Sequence, residues 1–435
     1  MAFTFKGGIH VAEHKDTCRV PIEKMKTPRF VSIPLSQHIG APAVSLVKKG
    51  DRVLVGQIIA RNDNALSCPV HASISGTVFD IELRNSYTGA GKTEYIIIEN
   101  DELYEECEFT PLGENYTVEQ FVDCIKNAGI SGMGGASFPT YAKIQSAIGK
   151  AKELIVNCAE CEPYITANHR LLLEDAESII SGVKFLIKAL GIEKAVFAVE
   201  NNKPDVIALL RKLIVDDTSL SVAVMKTKYP QGDERQIMYA LHKVQLPAGK
   251  LPADIGYVIF NAETCAAVHH AVKEGRPLIQ RVVTVSGDCI KEPKNLLIPI
   301  GTSFADVIEY CGGFINEPSK IISGGPMMGM AQWDINTPVV KGTSAILALS
   351  ENKKETNSAC IHCGKCIGVC PMNLMPNYLA LFSSNGNYDK CEEYNCLSCV
   401  ECGCCTYTCP GNVPIVQHIR KAKAQINLNR KNRKN

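Results

Sequence analysis

Two cysteine runs share one spacing, Cys360-x2-Cys363-x2-Cys366-x3-Cys370-Pro371 and Cys399-x2-Cys402-x2-Cys405-x3-Cys409-Pro410, and they constrain this chain more than any other feature. Of its 20 cysteines, eleven fall in the fifty residues 360–409. The first fifteen residues hold no apolar core of a secretory signal, so the thiols are expected to stay reduced, and metal ligation is favoured over a disulfide framework. Three closely spaced thiolates cap three irons of one cubane. A turn this tight does not return the fourth cysteine to the same centre, so the fourth of each run is expected to ligate the other cluster. The expected sets are Cys360, Cys363, Cys366 and Cys409 for one [4Fe–4S] centre, and Cys399, Cys402, Cys405 and Cys370 for the other. A four-cysteine structural zinc site takes two pairs with a longer insert, which four cysteines in eleven residues do not provide. Cys391, Cys396 and Cys404 fall outside the register and are expected non-ligands. Cys396, three residues before Cys399, is the one position that offers a shifted register.

A length of 435 residues suggests about three domains. Lys+Arg 46 against Asp+Glu 45 leave a formal charge of +1, so no overall field favours nucleic acid. The most apolar long stretch, 179–199, carries Lys184, Lys188, Glu193 and Lys194, which a bilayer-spanning helix does not tolerate cheaply. No transmembrane segment is expected, and a cytosolic chain follows by default.

Residues 30–100 read as short strands with turn punctuation. Within them, Gly50-Asp51-Arg52-Val53-Leu54-Val55-Gly56-Gln57 and Pro69-Val70-His71-Ala72-Ser73-Ile74-Ser75-Gly76-Thr77-Val78 resemble the barrel-sandwich hybrid domains that carry lipoyl or biotinyl lysine. No lysine lies between Lys49 and Lys92, so a scaffold rather than a swinging arm is expected. From 94 to 123 there are ten acidic residues and no Lys or Arg, read as a solvated linker face. Next come helices at 118–128, 171–190, 204–214 and 234–242 and strands at 154–157, 195–200 and 220–225. Such alternation means an α/β layer on a largely parallel sheet. Strands at 282–285, 297–300 and 346–349 around a helix at 304–310 and a turn at 323–326 form a small α+β unit. A charged linker, 351–358, precedes the cysteine module, which carries a helical insert at 377–382. The last seventeen residues hold seven Lys+Arg and no acid, read as a solvated end with a polybasic contact to anionic lipid as the alternative.

The loop Gly129-Ile130-Ser131-Gly132-Met133-Gly134-Gly135-Ala136-Ser137-Phe138-Pro139-Thr140 leads into a helical stretch at 141–148. Backbone without Cβ lets amides and a helix N-terminus approach a phosphate or a flat ring. The loop follows a predicted helix rather than a strand, so it lacks the context of the usual dinucleotide fingerprint, and a structural glycine turn stays open on spacing alone. The run Leu154-Ile155-Val156-Asn157, ending in Cys158-Ala159-Glu160-Cys161-Glu162-Pro163, sets an amide and two carboxylates at a strand C-terminus, where α/β ligands bind. The flanking acids raise thiol pKa values, so Cys158 and Cys161 are expected to be inert rather than a redox pair.

These segments, with Tyr229-Pro230-Gln231-Gly232-Asp233-Glu234 and Asn261-Ala262-Glu263-Thr264, resemble the FMN and NADH segments of the flavin subunit of respiratory complex I. Together with the barrel-like domain, the later β-grasp-like segment and the paired ferredoxin runs, they make the chain resemble the RnfC family, the C subunits of the Rnf-type ferredoxin:NAD oxidoreductases, over nearly all of 1–418. The resemblance implies FMN and NAD(H) beside two [4Fe–4S] clusters. It sets Gly132, Gly134, Gly135 and Lys143 along the flavin, Asn157 and Glu160 around its ring, and Asn261 and Thr264 at its phosphate end. Phe138, Glu162 and Glu234 would face the dinucleotide, and Tyr229 and Gly232 belong to the same cofactor-binding set. Glu160 and Glu234 are the implied catalytic carboxylates. The flavin subunit of complex I has an arginine at Met133, an aspartate at Ala159 and a serine at Cys161, so polar contacts at these positions are not carried over. Residues 281–350 resemble the soluble-ligand-binding β-grasp domain of the same relatives, with no ligand named by the sequence.

The expected architecture is multidomain α/β. It comprises a barrel-sandwich hybrid-like domain at 1–105, a Rossmann-like FMN/NADH-binding domain at 115–275, a β-grasp SLBB-like domain at 276–350, a helical ferredoxin-like domain with two [4Fe–4S] clusters at 355–418, and a basic tail at 419–435. The implied function is electron transfer in an ion-translocating ferredoxin:NAD oxidoreductase. Hydride would pass between NAD(H) and FMN, and single electrons between FMN and the clusters. The resemblance implies a peripheral subunit on the cytoplasmic face of the cell membrane, docked on membrane subunits of an Rnf-type complex and reaching ferredoxin through a partner iron–sulfur subunit. Two rivals remain. An NADH-dependent cobalamin reductase resembles the chain from the glycine loop onward but does not begin with the barrel segment; a non-enzymatic, ligand-sensing scaffold would merely store clusters. His10 with His14, and His269 with His270, have no matching third ligand nearby in sequence and read as solvated or core histidines.

Overall fold

The computed structural model describes residues 2–89, 91–113, 115–350 and 359–433. The expected linker at 351–358 lies outside the described residues. The central unit is built on four strands whose apolar runs need cover on both faces. They are β1 (Glu153–Cys158), β2 (Ala195–Glu200), β3 (Leu220–Met225) and β4 (Tyr257–Asn261). All pair in parallel, in the order β3-β2-β1-β4, so the strand order reverses between β1 and β4.

Helices α1 (Val118–Asn127), α2 (Thr140–Ala147), α3 (Ala167–Glu174), α4 (Ala176–Leu190), α5 (Pro204–Leu213), α6 (Glu234–His242) and α7 (Ala262–Glu274) accompany the sheet. A reciprocal capping box starts α1: Gln120 N donates to Thr117 Oγ1 at 3.2 Å and Thr117 N to Gln120 Oε1 at 2.8 Å. The helix expected over 171–190 is two helices, broken at Asp175, whose φ of −139° and ψ of 41° are not helical. The break serves two packings that one straight helix cannot make. One face of α4 lies against α7, so close that a Cβ on Gly182 would sit 1.8 Å from the Cys265 carbonyl oxygen, while α3 turns toward the β-grasp sheet.

The N-terminal β unit is a sandwich of two small sheets. Phe30–Pro34, Lys92–Asn100, Gly76–Asn85 and Arg52–Val53 form one, and Val44–Ser45, Ile58–Arg61 and Val70–His71 the other. Residues 2–25 do not join it. Phe3 bridges Met225, Ile9 bridges Tyr229, and Ile22–Lys24 adds a parallel edge strand beside Lys294–Pro299. That edge belongs to the six-stranded mixed sheet of the β-grasp unit, which packs on the helix Phe304–Tyr310.

Residues 359–433 form a helical module with its own core of Leu379, Cys391, Cys396, Ile415, Ile419 and Ile426. The helix Ile415–Asn432 buries Ile415, Val416, Ile419, Ala422 and Ile426. Among the described residues, the basic end is thus helical to Asn432 and packed on the module as far as Ile426, with its basic side chains at the surface. Arg420 and Lys423 pair with Glu401, Arg430 with Glu392 and Arg433 with Asp389. Among the described residues, no helix is long and apolar enough to cross a membrane.

Candidate functional site

Asn157 on β1 and Asn261 at the end of β4 are cross-strand partners at the carboxyl edge of the sheet, where its order reverses. Open parallel sheets bind ligands at this place. Asn157 Nδ2 donates to the Gly232 carbonyl at 2.8 Å, and its Oδ1 accepts from Ala159 N at 3.1 Å. Asn261 Oδ1 accepts from Glu263 N at 2.9 Å and so caps α7. The glycine loop closes above them, with Gly132 N donating to the Phe138 carbonyl at 2.7 Å and Met133 N to Thr264 Oγ1 at 3.0 Å. The adjacent glycines differ. Gly134 has φ +73°, and a Cβ there would lie 2.7 Å from Asn261 Nδ2, whereas a Cβ on Gly135 would meet nothing within 4 Å. Gly134 packs on Asn261, and Gly135 faces open cleft.

A cavity of about 560 Å³ collects every residue expected around the flavin and dinucleotide. The loop and α2 contribute Gly132, Gly134, Gly135, Phe138 and Lys143; the end of β1 contributes Asn157, Glu160 and Glu162. Tyr229, Gly232 and Glu234 close one side, and Asn261 and Thr264 the other. Lys143 forms an ion pair with Glu234 across the cleft. Met328 and Ser344 of the β-grasp unit also line it, as do Leu246 and Lys250 to Ala253, none of which the sequence singled out. Their approach depends on how separate domains pack, which no local pattern announces.

The carboxylates have different surroundings. Glu160 is buried, and its oxygens accept from Asn168 N at 2.9 Å and His169 N at 3.3 Å, a negative charge at the N-terminus of α3. Glu162 accepts from Met327 N at 3.0 Å and Met328 N at 2.8 Å, and burial raises its pKa above the ordinary carboxylate range. Glu234 is partly exposed in the cleft. Behind the strand end, Lys15 reaches in from the N-terminal segment and donates to the carbonyls of Glu160, Glu162 and Ile165 at 2.8, 2.8 and 2.5 Å. Burial lowers its pKa below that of an ordinary lysine. Burial also pushes the thiols of Cys158 and Cys161 well up, which keeps them protonated.

The cysteines of the two runs line two separate cavities. One cavity is lined by Cys360, Cys363, Cys366 and Cys409, and a second by Cys370, Cys399, Cys402 and Cys405, joined by Cys404. The two runs share backbone conformation 39 residues apart, with left-handed φ at His362 and Glu401, Gly364 and Gly403, and Asn373 and Asn412. Short helices, Lys365–Gly368 and Cys404–Tyr407, follow the two glycines. Of the other thiols, Cys391 and Cys396 line neither cavity, whereas Cys404 stands beside Cys402 and Cys405. Cys391 lies 3.6 Å from the Leu379 carbonyl, Cys396 3.8 Å from that of Ile419, and Cys404 3.9 Å from that of Tyr229.

Among the described residues, the one trio of His, Cys, Asp or Glu donors within 4.8 Å of one another is His269, His270 and Glu274. Neither quartet is thus drawn in to the roughly 3.8 Å sulfur spacing that tetrahedral zinc sets with Zn–S near 2.3 Å. Glu274 is a third donor that the sequence reading of the histidine pair lacked. His270, however, is already engaged, 3.0 Å from Glu274 and 3.7 Å from Asp175, and hydrogen bonding to Asp175 raises its pKa. The other pair divides, with His14 stacked on Tyr164.

Cleft and quartet meet at Tyr229, whose hydroxyl donates to the Cys402 carbonyl at 2.7 Å. Arg235 donates to the Ser398 carbonyl at 3.1 Å, and Gly8 N to the Val369 carbonyl at 2.8 Å while Ile9 N reaches the Tyr229 carbonyl at 2.8 Å. The quartet containing Cys402 therefore adjoins the cleft. Cys360 and Cys363 of the other quartet are exposed.

The chain is similar to known proteins along most of its length. Three family models match: the RnfC barrel sandwich hybrid domain over residues 3–103, the Nuo51 FMN-binding domain over 125–270 and the SLBB domain over 282–331. They define a class of multidomain proteins built around an FMN-binding domain of the Nuo51 type. The chain is 46% identical over 433 residues to the C subunit of the proton-translocating ferredoxin:NAD(+) oxidoreductase complex of Clostridium ljungdahlii, covering 98% of this chain and 94% of the relative. It is 46% identical over 430 residues to the Na(+)-translocating counterpart of Acetobacterium woodii, covering 97% of each. The chain belongs to this family, the C subunits of the ion-translocating ferredoxin:NAD(+) oxidoreductase complexes. The Haemophilus influenzae relative is 41% identical over 97% of this chain, which spans only 66% of that protein. An NAD+-reducing [NiFe]-hydrogenase in the H2-reduced state shares the fold over 73% of this chain and 65% of its own, with a TM-score of 0.50 and 16% identity.

Proposed function

We propose that the chain passes electrons between NAD(H) and its partners in an ion-translocating complex, with FMN and the nicotinamide nucleotide in the cleft and one [4Fe–4S] cluster in each cysteine quartet. The single observation that carries this reading is Tyr229, which lines the cleft and hydrogen-bonds the loop of the nearer quartet. When bound, FMN exchanges a hydride with nicotinamide and single electrons with the clusters.

The residues fit these groups. The cleft has the volume of a cofactor site, and Gly135 leaves one wall free for a flat ring. Asn261 and Thr264, at the start of α7, offer a helix N-terminus to a phosphate. Glu234, paired with Lys143 and partly exposed, is the carboxylate available to the nicotinamide nucleotide, with Phe138 at the mouth. Glu160 is held by the amides of α3, so its part is to fix the turn beside the ring. Each quartet offers four thiols to one cluster, with the fourth supplied by the other run.

The order of sites follows from position. Counted from the cleft, the quartet of Cys370, Cys399, Cys402 and Cys405 would hold the first cluster and that of Cys360, Cys363, Cys366 and Cys409 the second, with exposed Cys360 and Cys363 on the side of a partner. That partner belongs to the membrane subunits of an Rnf-type complex, with ferredoxin reached through a further iron–sulfur subunit and this chain peripheral on the cytoplasmic face. The RnfC barrel segment at 3–103 favours this over a cobalamin reductase. A visible spectrum of anaerobically purified protein before and after NADH tests the reading, since a scaffold that only stores clusters shows no flavin to bleach.

A further inference from the structure

Three segments from three domains converge beside the cleft: Cys161 and Glu162 after β1, the turn Gly325–Met328 of the β-grasp unit, and Cys402 to Cys404 of the nearer quartet. Both carboxylate oxygens of Glu162 are taken, one by Met327 N at 3.0 Å and the other by Met328 N at 2.8 Å. The turn fits the carboxylate so closely that a Cβ on Gly325 would lie 2.2 Å from Glu162 Oε2. The turn is also closed on itself, with Gly329 N donating to the Gly325 carbonyl at 2.8 Å. On its far side the turn meets the cluster loop. A Cβ on Gly403 would sit 3.2 Å from the Met327 carbonyl oxygen, and Met327 packs in one apolar cluster with Tyr229, Cys161, Cys402 and Cys404. Met328, next along the turn, lines the cleft.

We propose that Glu162 is a positioning residue: its carboxylate pins the Gly325–Met328 turn against the Cys402–Gly403 loop, so that the cleft, the β-grasp unit and the nearer quartet are held as one body. The inference rests on the reading that cleft and quartet hold redox groups. It gives the β-grasp unit a mechanical part, and it gives Glu162 a partner other than the dinucleotide. Both oxygens already accept amide protons, from two successive residues of the turn, so the side chain fixes the turn at two points.

The test compares the full-length holoprotein with Glu162→Gln and Gly325→Val. Hydrogen exchange at residues 325–330 reads the clamp itself. Electron paramagnetic resonance of the reduced clusters reads the geometry of the nearer quartet, and stopped-flow reduction by NADH separates a flavin phase from a cluster phase. The wild type should protect the Met327 and Met328 amides. Both variants should lose that protection by about tenfold or more, shift the signal of one cluster only, and slow the cluster phase relative to the flavin phase. Fast exchange at these amides in the wild type overturns the proposal. So does a Glu162→Gln variant that keeps them protected while raising KM for NADH, because the carboxylate then meets the nucleotide. If Glu162→Gln fails to fold, Gly325→Val and the wild-type exchange profile decide. A wild-type flavin that NADH does not bleach defeats the functional reading and leaves the exchange result to judge the clamp separately.

Discussion

The Tyr229 hydroxyl and the Cys402 carbonyl oxygen lie 2.7 Å apart, joining a wall of the cleft to the loop that carries the nearer cysteine quartet. Tyr229 is 1% exposed, so this bond forms in surroundings with little competing water. Its own backbone pairs with Ile9, and Gly8 in turn reaches Val369 beside Cys370. Two elements far apart in sequence thus fix one short path between cleft and quartet.

Removing that donor tests the path. Tyr229→Phe keeps the ring and leaves the Cys402 carbonyl without a partner, at a cost of about 1 kcal/mol. Hydrogen bonds near a cluster help set its potential. The nearer cluster should become harder to reduce, with the outer cluster unmoved. Spectroelectrochemical titration measures both, and equal shifts in the two clusters would contradict the path.

Metal content follows from the quartets. Two cubanes predict about eight irons and eight sulfides per chain. Because Cys370 lines the cavity of Cys399, Cys402 and Cys405 rather than that of its own run, Cys370→Ser should damage that cluster and spare the one held by Cys360, Cys363 and Cys366. Iron analysis and the spectrum of the surviving cluster check this. About four irons in the wild type, or stoichiometric zinc, would contradict it.

The glycine loop offers a clean test at one position. Gly134 has φ +73° and packs on Asn261, so any substitution there strains the fold as well as the site. Gly135 has no such conformation and open space beside it. Gly135→Val should therefore lose FMN while keeping its iron and its far-ultraviolet circular dichroism. Full flavin occupancy in this variant would place the ring elsewhere.

Acid sensitivity should reside at the junction of the barrel and flavin domains. His71 is buried beside Lys341, and burial holds its pKa down to about 3; burial likewise lowers His38 to about 4. A base whose folded pKa lies below its unfolded value binds more protons when unfolded. The stability tied to it is complete above about pH 6.5 and is lost as the pH falls toward 3, at about 1.4 kcal/mol per unit for each group. The urea midpoint should fall between pH 7 and pH 5, and His71→Leu should flatten that slope. An unchanged slope would mean the histidine is not buried neutral.

The parts of this molecule legible in its sequence are those where chemistry or local pattern leaves few choices. The pairing of Cys370 with the downstream run follows from what one cubane needs, and the strand at 154–157 from an unbroken apolar run. The cleft residues could be placed because four motifs occur in a family's order. What stayed hidden depends on distant packing. Lys15 serves carbonyls some 145–150 positions away, and Lys341 bonds Pro69 and Gly129 from a third domain. The break at Asp175 comes from α4 docking on α7, and the choice between Gly134 and Gly135 from where Asn261 lies. Arg420, Lys423 and Arg430 look free in sequence because their partners Glu401 and Glu392 lie well upstream in the same module.

NAD(H) reaching a flavin in the cleft is the central claim, and anaerobic titration of the purified holoprotein with NADH tests it most directly. One hydride carries two electrons and the two clusters take one each, so the flavin band should bleach fully by about two NADH per bound FMN. A flavin band that excess NADH leaves unchanged, while dithionite bleaches it, would contradict the claim.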